Sequence, residues 1–188
     1  MTTSAQARLP GGAPSAPNHG TTTMLLHWGA AALLVAAFAL GLTLEDWPRG
    51  PQRDTVMMVH YSLGTLVFGL VMIRLLRRLL LPQPPLEGSL AARLAAGAMH
   101  WALYAMMVAL PLTGALDRWA RGRRLAIFGD NVIPAPFPIG GGRVWGEAHE
   151  VIANLLLALV ALHVAAALWH HLVLRDGTLR RMLPALRA

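Results

Sequence analysis

The chain has 188 residues, of which 55% are hydrophobic and only 13% charged, with a formal net charge of +7. That balance is far from the soluble average and points to the membrane class. The positive charge then belongs to topology and lipid contact, not to nucleic-acid binding. Cysteine is absent, which excludes covalently attached haem, thiolate-held iron–sulfur clusters and disulfides.

The first twenty residues are rich in Ala, Pro, Gly, Ser and Thr, with one arginine. They lack the cationic start and short apolar core of a cleaved signal. Residues 1–21 therefore read as a flexible tail, with His19 solvated. Four apolar runs follow, roughly Met24–Leu44, Val56–Leu76, Leu94–Leu116 and Val151–Leu174. Each is near the ~20 residues needed to cross ~30 Å of hydrocarbon. They predict an all-α integral membrane four-helix bundle over residues 22–184, with a short tail at 185–188 and no room for a second domain. A soluble bundle is disfavoured, because runs this long and poor in charge do not suit a wet surface.

The first loop, LEDWPRGPQRD, is short and mixed in sign, and the second, LPQPPLEGS, is a proline-rich turn. The third, DRWARGRRLAIFGDNVIPAPFPIGGGRVWGE, is the longest. It is expected to form a partly ordered cap with a basic stretch at Arg118, Arg121, Arg123 and Arg124. All sixteen basic residues are arginine. An even number of spans places both termini on one side, with nine arginines there against seven opposite. Arg74, Arg77 and Arg78 after the second span, and RDGTLRR after the fourth, strengthen that bias. The positive-inside rule puts both termini in the cytoplasm.

Histidines carry the chemistry. His149 and His163 lie fourteen residues apart on one apolar helix. That is about 21 Å of rise and an angular offset of only about 40°, so they share a face. Imidazole inside a span is costly and marks function. Following the alternating direction of the helices, His27 lies near the inner face, His60 near the outer face and His100 about a third of the way in from the inner face. His149 is then outer and His163 inner. The depth-matched pairs are His60 with His149 and His27 with His163, each joining two helices. That arrangement suits two six-coordinate haem b groups, each ligand donating its other ring proton to an oxygen. A histidine-lined proton or metal path and plain helix–helix hydrogen bonding stay open on spacing alone. Zinc is the weaker metal reading, because these histidines spread across the bilayer instead of clustering by fours.

The chain resembles the bacterial cytochrome b561 family of di-haem membrane cytochromes over about residues 22–184. The carrying segments are LLHWGAAALLVAAFALG, MVHYSLGTLVFGLVMIRLLRRL, AMHWALYAMMVALPLTG and AHEVIANLLLALVALHVAAALWHHLVLRDGTLRRMLP. Most specific is the ending, LH-x-AAAL-x-HH followed by D-x-TL-x-RM. The resemblance implies that His27, His60, His149 and His163 are the axial ligands. The chain departs from some relatives in having Ala96 and Gly97 where a second histidine precedes His100.

Two haems in series make a path for single electrons. No flavin or nucleotide fingerprint is present, so the natural lipid-phase partner is ubiquinone. Arg74, His100, His170 and His171 are candidates for a quinone site or for haem propionates, and histidine can relay the protons a quinone needs. The bland alternatives are packing for His100 and interfacial contact for His170 and His171. The resemblance implies superoxide oxidation on the outer side, with the third-loop arginines steering the anion. The alternative is a membrane anchor that passes electrons between a partner dehydrogenase or hydrogenase and quinone, though the compact length and short tails favour the free-standing oxidoreductase. Either way the expected location is the bacterial inner membrane.

Overall fold

The computed structural model describes residues 20–82, 88–129 and 131–183. His19 and nearly all of the two expected tails lie outside the described residues. Helix α1 spans Thr21–Thr43 and runs into a short 3-10 turn, Leu44–Asp46. Helix α2 spans Pro51–Leu80 and α3 spans Leu90–Ala120. Strands β1 (Leu125–Ile127) and β2 (Asn131–Ile133) form a hairpin. Helix α4 covers Val144–Trp169 and widens into one π turn, His170–Leu174.

All four helices begin before their apolar runs, and at α2 and α3 the first residues suit a helix start. At the start of α2, Pro51 follows Gly50, where a missing N–H costs nothing. Arg77 and Arg78 fill its last turn and complement the helix dipole. Ser89 caps α3 by accepting from the Ala92 N–H at 3.3 Å. All four helices are long and apolar enough to cross a membrane. Large apolar side chains such as Leu25, Val35 and Leu162 face outward, as lipid contact requires. The protein is a membrane protein built as a helical bundle.

Helix α1 packs on α2, α3 packs on α4, and α2 joins the two halves through α3. The joint is a core of Val67, Val71 and Tyr104, flanked by Leu33, Leu34, Leu75, Met107 and Val108. Helix α4 stands apart from the first half. Among the described residues, no Cα of α4 lies within 8 Å of a Cα in α1 or α2. At one end Trp28 Nε1 donates to the Met182 carbonyl at 2.8 Å, tying the chain beyond α4 to the start of α1. This is the terminal end of the bundle.

The opposite end carries the hairpin, in a loop expected only to be partly ordered. Its strands are antiparallel, with Leu125 opposite Ile133 and Ile127 opposite Asn131. Leu125 and Ile127 are buried, and β1 packs on α2. Phe128 is left-handed at φ 47°, a conformation that L residues rarely hold unaided. Its N–H donates to the buried Ser62 Oγ at 2.8 Å. Trp119 Nε1 donates to the Ile133 carbonyl at 3.1 Å. These bonds clamp the hairpin onto α2 and α3.

Candidate redox site

At the hairpin end His60 of α2 and His149 of α4 face each other with ring centroids 6.4 Å apart. Each ring is anchored on its far side. His60 Nδ1 donates to the Ala37 carbonyl of α1 at 2.9 Å. His149 Nδ1 donates to the Leu110 carbonyl of α3 at 2.8 Å. A carbonyl can only accept, so Nδ1 carries the proton and the Nε2 lone pair is left for a ligand. Leu110 sits beside Pro111, which interrupts the hydrogen-bond ladder inside α3.

At the terminal end His27 of α1 and His163 of α4 are also 6.4 Å apart. His100 of α3 adds a third ring, 6.0 Å from His163. All five membrane histidines named from the sequence thus fall into two groups, one per end. Beyond His100, two arginines of α2 lie over aromatic faces of α3. The Arg74 guanidinium is 5.8 Å from the Tyr104 ring, and Arg78 is 5.4 Å from Trp101 and 5.9 Å from Tyr104. Arg78 entered the sequence reading only as a topology signal, and only its aromatic neighbours reveal it here.

His170 lies seven residues beyond His163 on nearly the same face. Its Nδ1 donates to Asp176 Oδ2, the Asp of the D-x-TL-x-RM motif, to which the sequence alone assigns no role. Burial works against the Asp176 charge, but hydrogen bonds from His170 and from Thr178 outweigh it and hold the carboxyl at about 2. The pair forms because the π turn ends at Arg175 in the left-handed region, φ 52°, which folds Asp176 back. The Thr178 N–H, 2.9 Å from Asp176 Oδ1, closes the turn. His171 shares none of these ring contacts.

The four third-loop arginines have different surroundings. Arg118 lies 5.1 Å over the Tyr61 ring and donates to the Arg124 carbonyl at 3.0 Å. Arg121 is paired with Asp117 at 2.7 Å. Arg123 instead lines a cavity of about 350 Å³ together with Arg49, Arg53, Asp54 and Met57. Arg123 and Arg124 both border a second cavity beside β2. Met57 and Arg53 lie three and seven residues before His60, so both are on its side of α2. The first loop thus supplies two cations that the sequence reading left among mixed charges.

Residues 18–185 match the family described as prokaryotic cytochrome b561. The chain belongs to the prokaryotic cytochrome b561 family. It is 30% identical to the probable superoxide oxidase CybB of Yersinia pestis, over 86% of this chain and 93% of that one. It is 33% identical to cytochrome b561 homolog 2 of Escherichia coli K12, over 88% and 90% of the two chains. Cytochrome b561 homolog 1 of the same organism is 34% identical, over 87% and 95%. A cytochrome b561 is a membrane electron-transfer protein, and the family implies haem b. With no cysteine in the chain, side-chain coordination and packing must hold it.

Proposed function

We propose that this cytochrome b561 holds two b haems in series and carries single electrons from superoxide at the hairpin end to ubiquinone at the terminal end. His60 and His149 would hold one haem, and His27 and His163 the other. The observation that carries this reading is the shared 6.4 Å spacing of the two pairs across helices whose backbones stand apart. A metal–imidazole bond is ~2 Å, and a five-membered ring of ~1.35 Å bonds places its centre ~1.1 Å behind each nitrogen. Two imidazoles on one iron then have centroids ~6.2–6.3 Å apart. When bound, each haem supplies an iron centre that gains and loses one electron.

The chain's own residues do the rest. The Ala37 and Leu110 carbonyls hold the His60 and His149 rings in one tautomer and raise their basicity as ligands. Arg49, Arg53 and Arg123 present positive charge to an approaching anion beside His60. Two superoxide anions each give up one electron and leave as dioxygen. One ubiquinone takes both electrons and two protons to become quinol. His170 is placed to deliver a proton, and Asp176 holds its ring and balances its charge while it is protonated. The arginine bias supports a cytoplasmic location for this end, with both termini. Superoxide enters the reading through the 30% identity to a probable superoxide oxidase.

The test is a reduced-minus-oxidised optical spectrum of the purified protein with a pyridine haemochrome count, followed by reduction with pulse-generated superoxide in the presence of a soluble ubiquinone. Two low-spin b haems per chain and quinol formation are expected. One haem per chain, or a high-spin signal in intact protein, contradicts the paired-ligand reading.

A further inference from the structure

We infer that Gly41 and Gly114 are positioning residues that seat the rings of His60 and His149, so that the hairpin-end pair is built to a tighter tolerance than the terminal-end pair. The inference rests on the two-haem reading above.

The two seats share one design. His60 donates to the carbonyl of Ala37, and Gly41 lies four residues further along α1. His149 donates to the carbonyl of Leu110, and Gly114 lies four residues further along α3. In an α-helix the N–H of residue i+4 bonds the carbonyl of residue i. A carbonyl has two lone pairs, so each of these carbonyls can serve both the helix ladder and an imidazole; at Leu110 the Thr113 hydroxyl shares the acceptor at 2.9 Å. The ring must then lie against the helix surface where residue i+4 would carry its Cβ. A Cβ on Gly114 would meet His149 Cε1 at 3.0 Å and Nδ1 at 3.1 Å. A Cβ on Gly41 would meet His60 Cε1 at 3.2 Å and Nδ1 at 3.7 Å. Both rings would have to move by a few tenths of an ångström, and each is pinned by its carbonyl.

Glycine is a poor helix former, so its place in a helix interior calls for a local reason. Gly64, Gly69 and Gly97 are also helical, yet a Cβ on any of them meets nothing within 4 Å. A Cβ on the helical Gly146 would come closer still, but to the ends of the Asp117 and Arg121 side chains, at 2.7 and 2.8 Å; among the described residues, close approach to a histidine ring occurs only at the two seats. The terminal end lacks it: no described glycine brings a Cβ position within 4 Å of the His27, His100 or His163 rings. Displacing a seated ring stretches its Nδ1–H bond. That lowers the basicity of the ligand, weakens its preference for ferric iron and raises the potential of that haem alone.

The experiment uses the purified holoprotein in three versions, Gly114→Ala, Gly41→Ala and the control Gly69→Ala, beside the parent. Redox titration resolves the two midpoint potentials. Low-temperature EPR resolves the two ferric low-spin signals, and His60→Ala identifies which belongs to the hairpin end. Gly114→Ala is expected to raise the hairpin-end potential and shift that EPR signal, or to release that haem while the other is retained in full. Gly41→Ala should move the same haem in the same direction by less, and Gly69→Ala should move neither. If Gly114→Ala does not accumulate, the looser contact at Gly41 decides the matter. Unchanged potentials and signals overturn the inference. So do shifts spread equally over both haems, or an equal shift from Gly69→Ala. A parent protein without two bis-histidine haems fails earlier, on the reading beneath, and that haem count separates the two failures.

Discussion

His60 and His149 approach to a ring separation of 6.4 Å from helices whose described Cα atoms stay more than 8 Å apart. The side chains alone bridge that separation. His27 and His163 repeat the relationship at the other end, also at 6.4 Å. Since α4 contributes one ring to each pair, it is the common element of both.

Removing either ring of a pair should therefore remove one haem and spare the other. His60→Ala and His149→Ala should each lose the hairpin-end haem, and His27→Ala and His163→Ala the terminal-end haem. A haemochrome count and a redox titration of each variant check this. Each variant should also melt at lower temperature than the parent, because a ligand bound only by the folded state stabilises it by mass action. The assignment fails if His60→Ala and His163→Ala delete the same haem.

The arginines at the hairpin end divide by environment, and their variants should divide likewise. Arg49, Arg53 and Arg123 line one cavity, whereas Arg118 and Arg121 are held by Tyr61 and Asp117. Neutralising Arg49, Arg53 and Arg123 together should slow haem reduction by superoxide about tenfold at low salt, within the range of electrostatic steering. The gap between variant and parent should shrink as salt is raised, because exposed charges are screened over ~10 Å at 0.1 M. Both haem spectra should stay as in the parent. Stopped-flow reduction at two ionic strengths measures this. A rate indifferent to both substitution and salt would favour a partner subunit as electron donor.

How much of this was legible in the sequence depended on which level of structure carried each feature. The four spans were readable because a hydrocarbon slab imposes a length on any helix that crosses it. The histidine pairs were readable because rise per residue is fixed, so counting along alternating helices gives depth. That His100 joins His163 at 6.0 Å was not readable, since depth says nothing about rotation around the bundle. The Ala37 and Leu110 acceptors are backbone atoms, and only Gly41 and Gly114 hint at them. The early starts of α2 at Pro51 and α4 at Val144 lie in polar turns that an apolar pattern does not see. The hairpin was hidden because each strand has only three residues. Asp176 was hidden because its approach to His170 needs a π turn ending in a left-handed arginine.

Ser62 should hold the hairpin in place. Its Oγ is buried, accepts the Phe128 N–H at 2.8 Å and donates to the Met58 carbonyl at 2.8 Å. Ser62→Ala would leave the left-handed Phe128 N–H without that acceptor, at a cost of about 1–3 kcal/mol. The expected readout is faster proteolytic cleavage between residues 123 and 143, with haem content preserved. Unchanged cleavage would mean that the apolar contacts of Leu125 and Ile127 suffice.

The His170–Asp176 pair should control proton delivery to quinone. The Asp176 carboxyl is held at about 2, below its unfolded value of ~3.9. A depressed carboxyl stabilises the fold wherever it is ionised, so its contribution is complete above pH ~3.9 and is lost as pH falls toward 2. Across the range where the enzyme is assayed, Asp176 is therefore a constant negative charge beside His170. Asp176→Asn keeps an oxygen for the His170 Nδ1–H and for Thr178 but removes the charge. The imidazolium form of His170 then loses its counter-ion, and quinol formation should fall about tenfold or more. Haem content and the rate of haem reduction by superoxide should not change, since those steps lie at the other end of the bundle. Steady-state quinol formation from pH 5 to 8, beside stopped-flow haem reduction, separates the two halves of the reaction. If Asp176→Asn leaves the quinol rate as in the parent, the pair only closes the turn after α4 and the proton takes another route.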